Sequence, residues 1–257
     1  MKGRLIVVTA MLALVTTASL ARAEVVQRGN LRVTFEGEIS PHALPRSSPA
    51  PVRVSVGTKI ASLKAGSLPR LRTITIAINR YGKFDPKLLP ACTLRDIQPA
   101  TTENALEACG DSLVGEGTFA AKVLISRQAP FPSAGKLYAF NGVVDGRPAI
   151  LAHVYGDTPV PTSFTLVFEL RPGKGAFGTV LRASLPEVTG DSGYITDISL
   201  NLAKTVRRQG KVRSYLSASC PAPKGFTRAP FPLAKTTLDF GNRTVHSTLT
   251  RNCKVRG

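Results

Sequence analysis

The sequence contains no tryptophan, and Phe and Tyr together make up only 6% of it. Proteins that bind single-stranded nucleic acid stack the bases on aromatic side chains set among basic residues. No such interleaving accompanies the basic residues of this chain. We therefore predict that nucleic acid is not a partner.

Histidine is also scarce, since the chain has only His42, His153 and His246. No two of them are four residues apart, and none is next to a second ligand type in a metal-binding spacing. His153 with Asp157 could act as a base and its orienting acid, but the alternating residues around His153 favour an ordinary strand position. We predict no metal, no cofactor and no catalytic residue, and regard an enzymatic role as less favoured.

Long apolar runs are absent except at the N-terminus, where a run from Leu5 to Leu14 follows the basic residues Lys2 and Arg4. Ala21-Arg22-Ala23 then supplies small residues at the two positions that a signal peptidase recognises. The apolar run is too short to span a bilayer, and no later stretch is long enough. We predict a Sec-type signal peptide over residues 1–23, cleavage after Ala23, and a mature protein that is secreted or associated with the cell envelope.

No C-x-x-C motif occurs, which argues against a zinc ribbon or a thioredoxin-like site. The mature chain holds all four cysteines, and an even number in an exported chain indicates two disulfides. Three pairings are possible, and we predict the local one, which joins Cys92 to Cys109 and Cys220 to Cys253.

Acidic residues are few. The mature chain has 31 Lys and Arg against 16 Asp and Glu, a net charge of +15, and residues 201–257 alone carry twelve basic residues and one acid. Such a region attracts polyanions, including envelope polymers and anionic lipid surfaces. The alternative is an ordinary solvated basic surface. The residues that we predict to bind an anionic partner are Arg207, Arg208, Lys211 and Arg213.

The remaining pattern is that of strands. Segments such as "LRVTFEGEI", "RTITIAIN", "FTLVFEL" and "YITDISLNL" alternate with period two and are rich in Val, Ile, Thr and Phe. Asp145-Gly146 predicts a hairpin turn, and "ENALEAC" after Thr102 predicts one short helix over 102–109, with Thr102 as its N-cap. We predict an all-β fold of the β-sandwich type.

Four features occur twice in the same order, which suggests an internal repeat. We interpret them as two related six-stranded halves in tandem, 24–160 and a strongly basic 161–257, against the alternative of chance similarity among strands. The paired features are "GTKIASL" (57–63) with "GTVLRASL" (178–185), "ITIAINR" (74–80) with "ISLNLAK" (198–204), Cys92 with Cys220, and "APFP" at 129–132 and 229–232.

Two motifs mimic known chemistry. "GDSG" at 190–193 matches the serine-protease nucleophile, but a protease also needs a histidine and an aspartate on a distant part of the chain, and here His153 precedes Ser192 by only 39 residues. "GKGAFG" at 173–178 matches a dinucleotide fingerprint, yet an alternating segment follows it where the fingerprint needs a helix. We predict turns at both positions.

Six segments, "LRTITIAIN", "ALEACGDSLVGEG", "AFNG", "FGTVLRASLP", "YLSASCPAPKGF" and "TRNCKVR", resemble a group of exported, β-rich bacterial proteins of no assigned activity. The resemblance covers most of the mature chain. It implies an exported β-rich fold and carries no activity, cofactor or site.

Together these features favour a non-enzymatic binding or structural protein of the cell envelope or extracellular space. The alternative is a secreted hydrolase that acts on envelope glycans or esters, with an active site dispersed over several strands.

Overall fold

A computed structural model describes residues 23–64, 68–124, 129–156, 161–185 and 193–256. The predicted signal peptide lies outside these ranges except for Ala23. Within them, no helix is both long and apolar enough to cross a membrane.

The all-β prediction is confirmed, because strands form most of the described chain. The strands are β1 Glu24–Arg28, β2 Leu31–Ser40, β3 Ala43–Leu44, β4 Ala50–Pro51, β5 Arg53–Ser62, β6 Thr73–Asn79, β7 Gly82–Phe84, β8 Leu113–Val123, β9 Phe131–Val144, β10 Arg147–Gly156, β11 Thr162–Pro172, β12 Phe177–Ser184, β13 Gly193–Leu202, β14 Thr205–Arg208, β15 Lys211–Ser214, β16 Leu216–Ala218, β17 Arg228–Asp239 and β18 Thr244–Val255. The helices are α1 Leu94–Ile97, α2 Thr102–Cys109 and the 3-10 turn Gly110–Ser112.

Thirteen strands join one continuous curled sheet in the order β1-β2-β5-β13-β8-β9-β10-β11-β12-β6-β17-β18-β3. All its pairings are antiparallel except that of β18 with β3. Period-two alternation requires only that one face of a sheet be buried. The curl meets this requirement by packing the inner face of the sheet against itself, where a sandwich would pack two sheets together.

The two ends of the curled sheet meet through side chains. Arg251 on β18 pairs with Glu24 on β1, with Nη1 2.8 Å from Oε1, and its Nε donates to the carbonyl of Gly37 at 2.6 Å. A Cβ at Gly37 would lie 2.7 Å from Cδ1 of Leu249, so a larger residue there would require the end of the Leu249 side chain to move. These contacts hold the curl closed.

Two small units stand apart from the large sheet. We call the three-stranded sheet β4-β16-β7 the cap sheet and the pair β14-β15 the basic hairpin. The hairpin turns at Gln209-Gly210, which both have positive φ angles (49° and 73°), the geometry of a two-residue turn. The two units are connected in sequence at one point, since β16 of the cap sheet begins two residues after β15 of the hairpin ends.

The proposed tandem halves contribute alternately to the large sheet. Strand β13, from 161–257, lies between β5 and β8, and β6, from 24–160, lies between β12 and β17. The two "APFP" segments occupy similar places, since each lies at the start of a long strand, β9 or β17. The duplication itself stays a prediction.

The local predictions can be compared with the structure one by one. Asp145 and Gly146 form the turn between β9 and β10 with φ angles of 50° and 73°. Helix α2 has the predicted bounds, but its N-cap is Thr101 and not Thr102, because the Thr101 hydroxyl accepts the Asn104 N–H at 3.2 Å. Helix α1 was not predicted, since its four residues are too few to show a helical period.

Both predicted disulfides are confirmed. Cys92–Cys109 ties α2 to the segment before α1, and Cys220–Cys253 ties the chain after β16 to β18. Backbone hydrogen bonds in both directions between Cys92 and β9, at 2.9 and 3.2 Å, attach the segment before α1 to the edge of β9 beyond the start of β8.

Candidate functional site

The four residues that we predicted to bind anions all lie on the basic hairpin. Arg208 and Lys211 stand directly opposite each other across its two strands, and Arg213 lies two residues from Lys211 on the same face. Like charges placed opposite each other in a strand pair destabilise it. The hairpin therefore carries a concentration of positive charge that its own folding does not favour.

Two of these four side chains also attach the hairpin to the chain that follows β7. Arg208 donates from Nη2 to the carbonyl of Leu88 at 2.9 Å, and Arg213 Nη2 lies 3.4 Å from Oδ2 of Asp85. Arg207 and Lys211 are exposed and have no ion pair or hydrogen-bonded side-chain partner among the described residues. These two are the cations most available to a partner.

Tyr215 fixes the hairpin relative to the cap sheet. Its N–H donates to the carbonyl of Lys204 at 2.9 Å, and its own carbonyl accepts the N–H of Asp85 at the same distance. Its ring is fully buried and meets Phe84 edge to face, with the ring centroids 6.0 Å apart. Burial raises the pKa of the Tyr215 phenol, whose hydroxyl finds no hydrogen-bond partner within the described ranges.

A cavity of about 90 Å³ lies inside the curl, between the inner face of the large sheet and the cap sheet. Its walls are almost entirely aliphatic and aromatic. The apolar side chains that line it are Ile39, Val52, Val54, Val56, Ile76, Ile78, Phe84, Ile150, Phe168, Leu181, Leu200, Leu202, Leu216, Ala218, Phe231, Leu233 and Ala234.

Asn79 is the polar residue of the cavity wall whose side chain is bonded on both sides to described parts of the protein. Asn79 donates from Nδ2 to the carbonyl of Pro232 at 2.9 Å, and its Oδ1 accepts the N–H of Tyr81 at 3.0 Å. Lys83 is exposed and shares a face of the cap sheet with Ser217, its partner in register, whereas Phe84 and Leu216 share the opposite face. None of the described residues around the cavity is a carboxylate or a histidine.

His153 lies outside this cavity, on the outer face of β10. It is fully buried, and neither ring nitrogen has a hydrogen-bond partner in the described part of the chain. The hydroxyl of Thr165, directly opposite on β11, is likewise buried and unpaired. Burial lowers the pKa of His153, and the nearby backbone of Ile97 opposes that shift in part.

Among the described residues, none near His153 is an acid that could orient it. Its neighbour in register on β9 is Tyr138, which is buried. The charged residues of the overlying helices, Arg95, Asp96, Glu103 and Glu107, are exposed. Asp157, the orienting acid considered from the sequence, lies outside the described residues, and a catalytic role for His153 gains no support.

The structure describes one of the two enzyme-like sequence motifs completely and the other only at its last residue. The segment 173–178 forms the predicted turn between β11 and β12 together with the first two residues of β12, and the Gly173 N–H donates to the carbonyl of Gly178 at 3.0 Å. A strand follows it, so no helix N-terminus is available for a pyrophosphate. Of "GDSG", only Gly193 is described, at the start of β13, and Asp191 and Ser192 lie outside the described residues.

One group of potential metal ligands cannot act as a thiolate metal site. Cys92, Cys109 and Asp96 lie close together, but the two sulfurs are bonded to each other and offer no pair of thiolates. The Asp96 carboxylate accepts hydrogen bonds from the backbone and hydroxyl of Thr93 at 2.9 and 2.8 Å, which lower its pKa. Asp96 thus serves to start helix α1.

Sequence reasoning missed the buried polar residues that position this region. Asn141 on β9 donates from Nδ2 to the carbonyls of Pro86 and Pro90, at 3.0 and 2.9 Å, and so holds the segment between the cap sheet and α1. The only signal for it was a polar residue within the otherwise apolar run "LYAFNGVV". Tyr215 gave no signal, because nothing in the local pattern indicates its complete burial.

Similarity to known proteins does not assign a role to these features. The chain matches no protein-family model, no curated protein sequence and no solved structure. Its function has to be argued from the hairpin and the cavity themselves.

Proposed function

We propose that this protein is an exported, non-enzymatic binding protein that attaches to an anionic surface of the cell envelope through its basic hairpin. The observation that carries the proposal is the placement of four cations on one exposed two-stranded unit, with Arg208, Lys211 and Arg213 on one face and Arg207 on the other. No acidic residue occurs between Asp197 and Asp239 to neutralise them within this stretch of sequence.

The electrostatic cost of this arrangement supports a role in binding. The cross-strand pair of Arg208 with Lys211 destabilises the hairpin, and a solvated surface could carry the same residues apart from one another. An anionic polymer or an anionic lipid surface would replace this repulsion with attraction. Near an anionic membrane each Lys or Arg contributes about 1 kcal/mol.

The compartment is consistent with this role. Two disulfides are typical of exported proteins, because the cytosol keeps thiols reduced. The signal peptide predicted over residues 1–23 directs the chain to the compartment in which envelope polymers and lipid headgroups are accessible. The alternative of a hydrolase gains no specific observation, since the described cavity walls present no pair of carboxylates.

The test measures binding of the exported protein to vesicles of anionic or neutral phospholipid, and to a soluble anionic polymer, at low and at high salt. The variant is Arg207→Glu with Lys211→Glu, because both side chains are exposed and the second change places opposite charges across the hairpin at Arg208. The matched control reverses two exposed basic residues of β5, Arg53→Glu with Lys59→Glu, and so has the same net charge.

We expect the hairpin variant to bind anionic vesicles or polymer at least about thirtyfold more weakly, which corresponds to the loss of about 2 kcal/mol from two cations. The control should lose much less, and wild-type binding should weaken at high salt because screening shortens to about 3 Å at 1 M. Equal losses in both variants, or binding that is indifferent to salt, would refute a role for the hairpin.

A further inference from the structure

The cavity is not accounted for by binding at the hairpin. Protein interiors are normally filled to the density of organic crystals. Here large inner-face side chains such as Val54, Ile78 and Leu200 remain only half-buried, because they border empty space. At about 24 cal/mol for each Å³, a cavity of about 90 Å³ costs the fold about 2 kcal/mol.

The chemistry of the walls defines what can enter. Asn79 is bonded within the protein, and although Tyr81 and Ser219 also line the wall, the surface that faces the cavity is almost entirely apolar. A cavity of this character stays free of water and takes up apolar molecules, because water would find too few hydrogen-bond partners there. The occupant that fits is hydrocarbon.

The border of the cavity adds a charge. Strand β7 is an edge of the cap sheet, and its Lys83 extends to solvent on the face opposite Phe84 and Leu216. The basic hairpin is bonded to the chain that follows β7, through Arg208 and Arg213. A hydrocarbon chain that entered the cavity past the β7 edge would leave its polar head in a positively charged environment.

We propose that the cavity binds the hydrocarbon chain of a single-chain anionic lipid, whose charged head stays outside the cap sheet beside Lys83. This proposal does not depend on attachment to an anionic surface, because the cavity walls are separate from the hairpin. The two can fail independently.

The absence of tryptophan from the chain provides a direct reporter. Phe168→Trp places a single indole on the cavity wall, and Phe84→Trp is a second reporter should the first variant fail to fold. Phe226→Trp is the matched control, since Phe226 is 64% exposed and lies away from the cavity. The probes are straight-chain alkanoates of increasing length brominated near the chain end, which quench indole fluorescence on contact, with the alcohols of the same length as neutral counterparts.

We expect saturable quenching in Phe168→Trp and not in Phe226→Trp. Affinity should rise by up to about fourfold for each methylene added, since burying one contributes about 0.8 kcal/mol, and should level off when the cavity is full. Equal quenching of both reporters, or affinity that rises with length without levelling, would show surface or micellar association and overturn the proposal. The absence of quenching in a folded cavity reporter would overturn it as well.

Charge reversal at Lys83 tests where the charged head of the lipid lies. Lys83→Glu should weaken binding of the alkanoate by about two- to fivefold, as expected for an exposed ion pair, and leave binding of the alcohol unchanged. The control is Lys235→Glu, because Lys235 is exposed on β17 next to the cavity-lining Ala234. If Lys83→Glu and Lys235→Glu have the same effect, or the alkanoate binds no better than the alcohol, the assignment of the head to Lys83 is wrong.

Discussion

Filling the cavity should stabilise the ligand-free protein. Ala234 on β17 lines the cavity and is 2% exposed, so Ala234→Leu extends an isobutyl group into the empty space. The most that can be recovered is the cost of the cavity, about 2 kcal/mol. In a chain of this size 1 kcal/mol shifts Tm by about 2–4 °C, so we expect a rise of up to about 8 °C.

The matched control is the same substitution at a filled position. Ala152 on β10 is fully buried on the inner face among Phe119, Leu137 and Leu166, and it does not line the cavity. Ala152→Leu should therefore overpack the core and cost about 1–3 kcal/mol. Urea and thermal unfolding of both variants provide the measurement. Equal destabilisation by the two substitutions would show that the space at Ala234 is closed in solution, and the reasoning from the cavity would fail.

Three further predictions concern other parts of the molecule. The pKa of His153 is lowered from 6.5 in the folded protein, so the unfolded chain binds the proton more readily. The free energy of unfolding should therefore be fully present above pH 6.5 and fall by up to about 1.4 kcal/mol per pH unit below it. Chemical unfolding from pH 7 to pH 5 should show this slope in the wild type and not in His153→Leu. Replacing Cys220 and Cys253 by serine should cost about 3–4 kcal/mol, because the bond closes a loop across 33 residues, and a loss below 1 kcal/mol in urea unfolding would contradict this. Ser192→Ala should leave any hydrolytic activity detected in the pure protein within about tenfold, and a loss of several orders of magnitude with the fold intact would revive the serine-hydrolase interpretation.

The strands could be predicted because their signal is local. The period-two pattern of segments such as "LRVTFEGEI" depends only on which face of a strand is buried, and β2 shows this alternation residue by residue. The Asp145-Gly146 turn and both disulfides followed from equally local cues, namely turn chemistry and short cysteine spacings.

The sheet order and the cavity could not be predicted, because they arise from contacts between distant segments. Nothing local places β13 between β5 and β8, and the alternating pattern is the same for a sandwich as for a sheet that curls on itself. The inner-face residues Ile78 and Leu200 have the sequence signature of a filled core. Only the structure shows that they border empty space.

The candidate binding residues were predictable in part. The cluster of positive charge between 204 and 213 is evident in the sequence, and it lies on one hairpin as a short stretch must. Which of these side chains are available was not evident, because the contacts of Arg208 with Leu88 and of Arg213 with Asp85 join residues more than a hundred positions apart.

The most direct test of the cavity as a ligand site is a crystal structure of the exported protein grown with a brominated alkanoate of the length at which affinity levels off, with the bromine near its chain end. Anomalous scattering locates the bromine independently of how the chain is built. Our account predicts a bromine peak inside the curl, in contact with Ile78, Leu200 or Phe168, with the carboxylate outside the cap sheet near Lys83. Bromine found only on the outer surface, with the space between these side chains empty or closed, would contradict it.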